Sequence, residues 1–259
     1  MQYDGSSFNG WQLQKGAAAR SVQASLEGAL SFVANESVRT HCAGRTDAGV
    51  HATAQLVHFD TSQARPLQSW IRGANANLDV PVSVYGGCEV GDAFHARFSA
   101  TARSYRYIIY NNDHRPALGA DYVCWVRQPL NEAVMNKQAQ DLLGECDFSS
   151  FRAAACQSST PMRRVDAIHV SRRDTLVIID ISANAFLHHM VRNIAGALIA
   201  VGKGGKPDGW IAQLLAAGDR TQAPDTAVAS GLYLVGVQYP AEYNLPAAEA
   251  GPWFAPLPA

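Results

Sequence analysis

A glycine-flanked segment, Cys42-Ala43-Gly44-Arg45-Thr46-Asp47-Ala48-Gly49-Val50-His51, holds the residues most able to do chemistry. Glycine allows the backbone to turn tightly and a ligand to approach closely. A carboxylate at Asp47, two residues from the guanidinium of Arg45, is a combination typical of a reaction centre. The alternative is an ordinary turn in which Asp47 only accepts hydrogen bonds from nearby backbone amides. Residue types alone leave both interpretations open.

A second candidate segment contains two adjacent histidines, His188 and His189, followed by Arg192. A metal site is weakly supported, because neighbouring helix positions point to different faces and no carboxylate stands at metal-ligand spacing. One of the two histidines is expected to be a hydrogen-bonded packing residue. Arg192 lies in an otherwise apolar helix, and an unpaired buried charge is very costly. The sequence therefore predicts that a carboxylate elsewhere in the fold pairs with Arg192.

The third candidate is Tyr105, in a run of aromatic and β-branched residues that predicts a strand. In a strand, Tyr105 and Tyr107 share one face and Arg106 takes the other. Tyrosines at alternate strand positions usually belong to a core or an interface, and they can also stack on a nucleobase. The pattern does not choose between these roles.

Charge gives a mixed indication of the ligand. The net charge is −1, which does not by itself indicate a nucleic-acid-binding protein, but the basic residues are 17 arginines and 4 lysines. Arginine suits bidentate phosphate recognition and stacking on bases, although genomic base composition also produces such a bias. Position must decide, and seven of the arginines lie in two short regions, 97–106 and 163–173.

Several common chemistries find no support in the motifs. The sequence contains no G-x-G-x-x-G and no G-x-S-x-G, and the run 202–206 fails the phosphate-loop pattern because Pro207 follows it. The five cysteines are widely spaced without C-x-x-C, which argues against a disulfide framework or a zinc ribbon. No apolar run reaches membrane-spanning length and no secretory signal is visible, so we expect a cytoplasmic protein without membrane contact.

Hydrophobic periodicity predicts alternating helices and strands around these residues. The expected helices are one capped by Ser21, then 67–75, 131–143 ending at Gly144, 188–201 ending at Gly202, and 209–216 capped by Asp208. The expected strands are 54–59, 82–90, 101–111, 165–171, 175–183 and 231–239, with a hairpin across Arg172-Arg173-Asp174. The proline-rich tail from Leu245 is expected to lie extended on the surface.

Ordered motifs run from Tyr3 to about Pro252. They are Tyr3-Asp4-Gly5, Gly10-Trp11-Gln12, the run 43–51, the run 94–103, Tyr105-Arg106-Tyr107, Asp147-Phe148, Ser150-Phe151-Arg152, Asn184-Ala185-Phe186, the run 188–193 and Gly231-Leu232-Tyr233-Leu234. Together they closely resemble the tRNA pseudouridine synthase A family. The resemblance implies an α+β pseudouridine synthase fold, with two α/β halves around a mixed, mainly antiparallel sheet and a central RNA-binding cleft. The halves are expected at 1–100 and 101–245, followed by the tail at 246–259.

The same resemblance implies the activity and the partners. Uridine would be isomerised to pseudouridine at positions 38, 39 and 40 in the anticodon stem-loop of tRNA, without metal or cofactor. Relatives resemble one another in being homodimers that hold a tRNA across both subunits. They usually carry a further stretch before Tyr3-Asp4-Gly5 that completes a strand. The first strand is therefore the element that the resemblance supports least in this chain. Relatives also often carry arginine at the positions of Asp113 and Ser159, and the different residues here are expected to weaken RNA contacts.

Individual roles follow from the resemblance, position by position. Asp47 matches the essential aspartate of the family, Arg192 the arginine that pairs with it, and Tyr105 the tyrosine that packs on the target base. Arg45 matches the arginine linked to base flipping. Further matches to RNA-contacting positions are Arg65, Phe94, His95, Ala96, Arg97, Phe98, Ala155, Cys156, Gln157, Ser158 and Ser159.

The chemistry suits these residue types. A carboxylate can trap or stabilise an oxocarbenium-like sugar, as in glycosidases, or take a proton from the sugar, and the sequence does not choose between these steps. Flipping a paired base costs a few kcal/mol. Contacts made by Arg45 and Tyr105 with the RNA would offset this cost. One alternative is a non-catalytic RNA-binding protein of the same fold. The other is a glycoside hydrolase, which would require a second positioned acid, and none stands out near Asp47.

Overall fold

The computed structural model describes residues 1–12, 20–246 and 251–256. Within these ranges the chain has an α+β fold with mixed, mainly antiparallel strand pairing. Its elements in chain order are β1 (Gln2–Tyr3), α1 (Val22–Ala34), β2 (His41–Cys42), β3 (His51–Ala52), β4 (Val57–His58), α2 (Leu67–Ala76), β5 (Val82–Ser83), β6 (Ala102–Asn111), β7 (Cys124–Val126), α3 (Glu132–Ala139), β8 (Gly144–Asp147), β9 (Met162–Arg173), β10 (Leu176–Ala183), α4 (Met190–Gly202), α5 (Trp210–Ala217) and β11 (Leu232–Gln238). Among the described helices, none has the length and apolar character needed to cross a membrane.

The chain divides into two compact units. The first comprises Met1–Arg103 and Tyr233–Ala259, and the second comprises Ser104–Leu232. The predicted halves, 1–100 and 101–245, place the whole of β11 in the C-terminal half, whereas its residues from Tyr233 onward group with the N-terminal part of the chain. The reason is backbone pairing, since β11 lies parallel to β3 with Tyr233 opposite His51.

Short strands form the β-structure of the first unit, in which β2 and β4 make a separate two-stranded sheet. β1 pairs antiparallel with both β3 and β5, and β2 pairs antiparallel with β4. Helix α1 packs against α2. As predicted, the Ser21 side chain caps α1 by accepting a hydrogen bond from the Ala24 amide at 3.2 Å. The helix buries its apolar stripe, including Val22, Leu26 and Leu30, and thereby supplies much of the core of this unit.

Two predicted strands of the first unit are largely wrong. Of the run 54–59, only Val57–His58 is strand, because the Thr53 and Ala54 amides both donate to the Leu234 carbonyl and break the regular ladder. Of the run 82–90, only Val82–Ser83 is strand. There the Asn75 side-chain amide bonds both backbone groups of Val84, at 2.7 and 2.8 Å, so neither is available to a neighbouring strand.

Longer strands build the second unit. β6 pairs with β7 and β10, and β10 continues through β9 to β8. The predicted hairpin is confirmed as β9 and β10, although β9 extends through Arg173 and the turn falls at Asp174, whose φ is 51°. The strand predicted at 101–111 is confirmed as β6. Its residues Tyr105, Tyr107, Ile108 and Ile109 are buried, which is the environment that favours aromatic and branched residues in strands.

The helices of the second unit differ from the predictions at their ends. Helix α3 stops at Ala139, and a 3₁₀ turn over Gln140–Leu142 leads to Gly144, whose φ of 87° sends the chain into β8. Helix α4 begins two residues later than predicted, because His189 has a left-handed φ of 61°. The predicted capping of α5 by Asp208 is wrong: Gly209 occupies the cap, and Asp208 pairs with Lys137 at 2.6 Å.

The expectation for the C-terminal tail is also wrong where the structure describes it. Within 251–256 the Ala255 amide donates to the Pro252 carbonyl, which closes a turn, and both residues are buried. Phe254 lies edge-on to Tyr233, with ring centroids 6.2 Å apart. Apolar contacts therefore tie this segment to the first unit. Residues 247–250 and 257–259 of the predicted tail lie outside the described residues.

Candidate active site

The Asp47 loop, residues 42–51, connects β2 to β3 in the first unit. The Asp47 carbonyl accepts a hydrogen bond from the Val50 amide at 3.1 Å, and Gly49 takes a φ of 76° within this turn. A turn is therefore present, as expected from the alternative interpretation of this segment as an ordinary turn. It is closed by the backbone carbonyl of Asp47, and the Asp47 side chain is half-buried while that of Arg45 is exposed.

Two glycines allow the N-terminal motifs to pack directly against the Asp47 loop. A Cβ on Gly5 would lie 1.9 Å from the Val50 carbonyl oxygen, and a Cβ on Gly10 would lie 2.8 Å from the Thr46 carbonyl oxygen. Gly10 also has a φ of 93°, a conformation that favours glycine. Because both positions exclude a side chain, the backbone can approach closely enough for the Trp11 amide to donate to the Thr46 carbonyl at 3.0 Å.

Gln55 supports the same loop and was not singled out by the sequence analysis. Its side chain is 1% exposed, donates to the Gly44 carbonyl at 2.7 Å and accepts from the Gly44 amide at 3.4 Å. The available signal was an amide within the apolar run 54–59. Since its side chain satisfies both backbone groups of Gly44, Gln55 holds the start of the Asp47 loop in place.

We expect Gln55→Leu to destabilise the protein by about 1–3 kcal/mol, because the backbone groups of Gly44 would lose their buried partner. Urea unfolding of the variant and wild type measures the difference. The matched control is Gln68→Leu, since Gln68 is exposed on α2 of the same unit. Equal unfolding free energies for the two variants would contradict the supporting role of Gln55.

Three arginines crowd the region 97–106, and each has a different task. The Arg103 guanidinium donates to the carbonyls of Ala43, Ala100 and Arg97, so it joins the Asp47 loop to the segment that precedes β6. Arg106 is fully buried in the second unit. Arg97 is exposed, so it is the member of this group with a surface placement suited to phosphate.

Tyr105 lies on β6 of the second unit and is buried. Its ring meets Phe186 edge-on, with centroids 5.0 Å apart and an interplanar angle of 84°. Tyr107, two residues along the strand, donates its hydroxyl proton to the Val228 carbonyl at 2.8 Å, and burial raises the pKa of that hydroxyl. Tyr107 is thereby fixed as a structural residue, and Tyr105 remains the candidate for base contact on this strand.

Arg192 lies in the first turn of α4 and is half-buried. Its Nε donates to the Ala227 carbonyl at 2.8 Å, and the Ala227 amide donates to the Arg192 carbonyl at 3.2 Å. These bonds fix the segment around Ala227 on the helix. A different arginine, the fully buried Arg106, has a carboxylate partner in Asp180, which it contacts twice at 2.7 Å.

Asn193, next to Arg192, is a buried hub. Its Nδ2 donates to the Phe151 carbonyl at 2.7 Å, and its Oδ1 accepts from Thr226 at 2.6 Å and from Arg220 at 3.2 Å. The sequence analysis recorded Asn193 only as part of a motif. An asparagine inside an apolar helix was the available signal, because a buried amide needs partners.

The segment 155–159, a predicted RNA contact, is largely exposed but tied down at its ends. Arg152 donates to the carbonyls of Cys156 and Ser158, at 2.9 and 2.7 Å. Arg163 donates to the Ser158 hydroxyl at 2.6 Å. Although burial acts to raise the pKa of the Cys156 thiol, hydrogen bonds from the Ser158 and His188 amides lower it below its ordinary value. The hydrogen bond from Arg163 to Ser158 helps to fix the conformation of the segment 155–159.

His188 and His189 do not lie on different faces of a helix, as the sequence analysis assumed. Both precede α4, and their rings lie with centroids 3.9 Å apart at an interplanar angle of 36°. The His188 amide donates to the Cys156 sulfur at 3.4 Å and its carbonyl accepts from Ala153 at 3.1 Å. This pair connects the segment 153–156 to the start of α4.

All five cysteines are free thiols, as the spacing predicted. Cys42, at the start of the Asp47 loop, is buried, and burial raises the pKa of its thiol to about 12 against the opposing effect of Arg45. A thiol of that pKa stays protonated at neutral pH and is a poor nucleophile. The Asp47 carboxylate is therefore the better candidate for chemistry in this loop.

The predicted site residues are distributed over both units. Asp47, Arg45, Arg65 and the segment 94–98 belong to the first, while Tyr105, Arg192 and the segment 155–159 belong to the second. Arg45 and Arg65 are exposed. The pairing of Asp47 with Arg192 stays a prediction, as do the RNA contacts.

Comparison with known proteins gives a consistent result over nearly the whole chain. A family model described as tRNA pseudouridine synthase matches residues 1–99 and 138–240. The protein named tRNA pseudouridine synthase A of Aeromonas salmonicida (strain A449) is 54% identical over 256 residues, covering 99% of this chain and 94% of the relative. The protein of the same name from Klebsiella pneumoniae subsp. pneumoniae is 55% identical over 254 residues, covering 98% and 93%. That of Shewanella loihica is 54% identical, covering 98% and 97%.

Proposed function

Because the chain belongs to the tRNA pseudouridine synthase family, we propose that it isomerises uridine to pseudouridine at positions 38, 39 and 40 in the anticodon stem-loop of tRNAs. The observation that carries the proposal is the Asp47 loop. Two glycines, a buried glutamine and Arg103 support this loop, which carries a half-buried carboxylate two residues from an exposed arginine. A catalytic group needs such support, because its geometry must be held before the substrate binds.

The reaction exchanges one bond to the sugar for another. The C1′–N1 bond breaks with its electron pair going to N1, the uracil turns while it is held, and C5 forms a bond to C1′. The hydrogen of C5 then leaves as a proton and N1 gains one, so nothing is oxidised. Asp47 either attacks C1′ or takes a proton from the sugar, and both roles use its ionised carboxylate.

Arg192 and Tyr105 complete the proposed catalytic set. We assign to Arg192 the pairing with the Asp47 carboxylate, and its bond to the Ala227 carbonyl limits the motion of its guanidinium. We assign to Tyr105 the packing on the target uracil. Its edge-on contact with Phe186 supports the ring from one side, and a stacking surface needs such support.

The remaining predicted residues are assigned to RNA binding. Arg45 is exposed at the rim of the Asp47 loop, where a guanidinium could hold phosphate or fill the space left by a flipped base. Salt-sensitive contacts of exposed arginines with phosphate would supply affinity in spite of the net charge of −1. We further propose that the enzyme acts as a homodimer in the cytoplasm, where tRNA is its substrate.

The test is tritium release from tRNA labelled at uridine C5. C5 loses its hydrogen only when the new bond forms there, so we expect release by the purified wild-type chain in stoichiometric proportion to the pseudouridine found by nucleoside analysis. A substrate tRNA with cytidine at positions 38, 39 and 40 is the control and should release nothing. Tritium release from that control would contradict the proposed positions, and no release from either tRNA would contradict the proposed activity.

A further inference from the structure

Three histidines of the first unit, none of them in the proposed catalytic set, lie together. His41 on β2 is directly opposite His58 on β4, and their rings stack with centroids 5.1 Å apart. His95, from the segment after β5, lies 4.6 Å from the His58 ring and 5.3 Å from the His41 ring. We refer to His41, His58 and His95 as the histidine cluster.

The hydrogen bonds of the cluster determine its protonation. The Nδ1 atom of His58 accepts from the Ala96 amide at 3.1 Å, and the Nδ1 atom of His95 accepts from the Arg97 amide at 3.1 Å. A ring nitrogen that accepts a hydrogen bond carries no proton, so both imidazoles are neutral with their hydrogen on Nε2. This tautomer is also unsuited to metal binding, since neither nitrogen offers a free lone pair.

What these bonds hold in place is the segment 94–98, which ends in an unusually exposed aromatic ring. Phe98 is 75% exposed. Its ring is 4.3 Å from the His95 ring, and the Arg97 guanidinium lies 5.5 Å from its centroid. An exposed aromatic face beside an arginine is the combination that proteins use to stack on unpaired nucleobases.

We propose that His58 and His95 hold the segment 96–98 in place for tRNA binding only while their rings are neutral, and that this segment makes its predicted RNA contact by stacking the Phe98 ring on an unpaired nucleobase. The inference rests on the proposed function, because it takes RNA to be the substrate. Phe98 and Arg97 form the contact surface. His58 and His95 are positioning residues, since they act through the backbone amides of the segment 96–98.

The surroundings of His58 and His95 favour the neutral state of both rings. Burial lowers the pKa of His58, and the charges of His95 and His41 lower it further, while Asp60 opposes them. Burial lowers the pKa of His95, as do His41 and Arg97. On the other side of the segment, the Tyr239 hydroxyl donates to the Ala96 carbonyl at 2.6 Å, and burial raises the pKa of this tyrosine, so it stays protonated.

Acid should therefore release the segment. Protonating Nδ1 of either histidine would place a donor against a backbone amide donor, and the segment would have to move away. Because the pKa values in the held segment lie below the ordinary 6.5, the displaced state takes up protons first. The contribution of the cluster is fully present above about pH 6.5 and is lost as the pH falls below it.

The first test concerns stacking and uses an unusually close control. We expect Phe98→Ala to raise the KM for tRNA by about 5- to 150-fold, the range for loss of one stacked base, with kcat little changed. Phe98→Trp should restore the KM because it retains a ring. The control is Phe32→Ala on α1, since Phe32 is 74% exposed in the same unit. An equal KM for the Phe98→Ala and Phe32→Ala variants would overturn the proposal.

The second test concerns acid sensitivity. The dissociation constant for tRNA is measured at about pH 8 and about pH 5.5, on either side of the ordinary histidine pKa, at fixed ionic strength. We expect weaker binding by the wild type at the lower pH. In His58→Asn and His95→Asn, the asparagine Oδ1 can accept the same backbone hydrogen bond without titrating, so the acid-induced loss should shrink. An unchanged loss in both variants would overturn the role of the cluster.

The stacking proposal and the proposed isomerase activity can be tested independently of each other. Tritium release by the wild type at about pH 8 tests the isomerase activity without reference to Phe98. If the wild type releases tritium and Phe98→Ala behaves like Phe32→Ala, the function stands and the stacking proposal fails. If the wild type releases none, the function fails, and the binding measurements still report whether Phe98 contacts RNA.

Discussion

Asp47→Asn is expected to abolish tritium release from C5-labelled tRNA while the dissociation constant for tRNA changes little. Asparagine has nearly the shape of aspartate but no charge, so it can neither attack C1′, nor stabilise a cationic sugar, nor take a proton from it. Loss of a catalytic carboxylate costs on the order of 10³- to 10⁴-fold or more in kcat. The fold of the loop should survive, because the bonds at 46, 47 and 50 that hold it use backbone groups.

The matched control is Asp92→Asn, which removes an exposed carboxylate from the same unit. It should retain wild-type kcat and tRNA affinity, so any general effect of lost negative charge on RNA binding is accounted for. A single-turnover assay with enzyme in excess separates the chemical step from product release. If Asp47→Asn keeps kcat within tenfold of Asp92→Asn, Asp47 is not the catalytic carboxylate. If it loses tRNA binding while its unfolding is unchanged, Asp47 serves RNA binding instead.

The long elements of the fold could be predicted because their information is local. Strand β6 and the hairpin of β9 and β10 follow from branched and aromatic runs, and α1 follows from its apolar stripe and its Ser21 cap. The short strands of the first unit could not be predicted in this way. Their ends are set by distant groups, such as the Leu234 carbonyl that accepts from two consecutive amides, and no local pattern reveals such a partner.

The candidate site divides in the same way, into residues that motifs identify and residues whose role depends on the fold around them. Asp47, Arg45 and Tyr105 stand in motifs that can be recognised from residue types and order. Gln55 and Asn193 could not be assigned roles, because a buried amide acquires its function only from the backbone groups that the fold places around it. The roles of the arginine-rich regions could not be predicted either. The sequence does not distinguish an exposed arginine from one whose guanidinium is hydrogen-bonded within the protein.

The buried arginine is the clearest such case. The sequence drew attention to Arg192 as a buried arginine, and its pairing with an acid stays a prediction. The fully buried arginine is Arg106, which binds the two carboxylate oxygens of Asp180 through Nε and Nη2. Strand periodicity placed Arg106 on the face of β6 opposite Tyr105, but it could not show that β10 would present an aspartate there. This pair joins two central strands of the second unit, one of which carries Tyr105.

Arg106→Met is accordingly expected to destabilise the protein by about 3 kcal/mol, towards the lower end of the range for breaking a buried ion pair. Methionine fills much of the same volume, so the loss comes mainly from leaving the Asp180 carboxylate without its cation. That side chain is 26% exposed, and water can solvate part of its charge. Urea unfolding of the full chain measures the change, and tritium release should fall because Tyr105 adjoins the disturbed position.

The control for the buried pair is a surface pair with the same contact distance. Arg164 binds Asp166 at 2.7 Å, as Arg106 binds Asp180, but the Arg164 side chain is 57% exposed. Arg164→Met should cost at most about 1 kcal/mol, because water replaces the lost partner. The double variant with Arg106→Met and Asp180→Leu should recover most of the stability lost in Arg106→Met, since no charge is left uncompensated. If the double variant is no more stable than Arg106→Met, the loss comes from packing and not from the unpaired carboxylate.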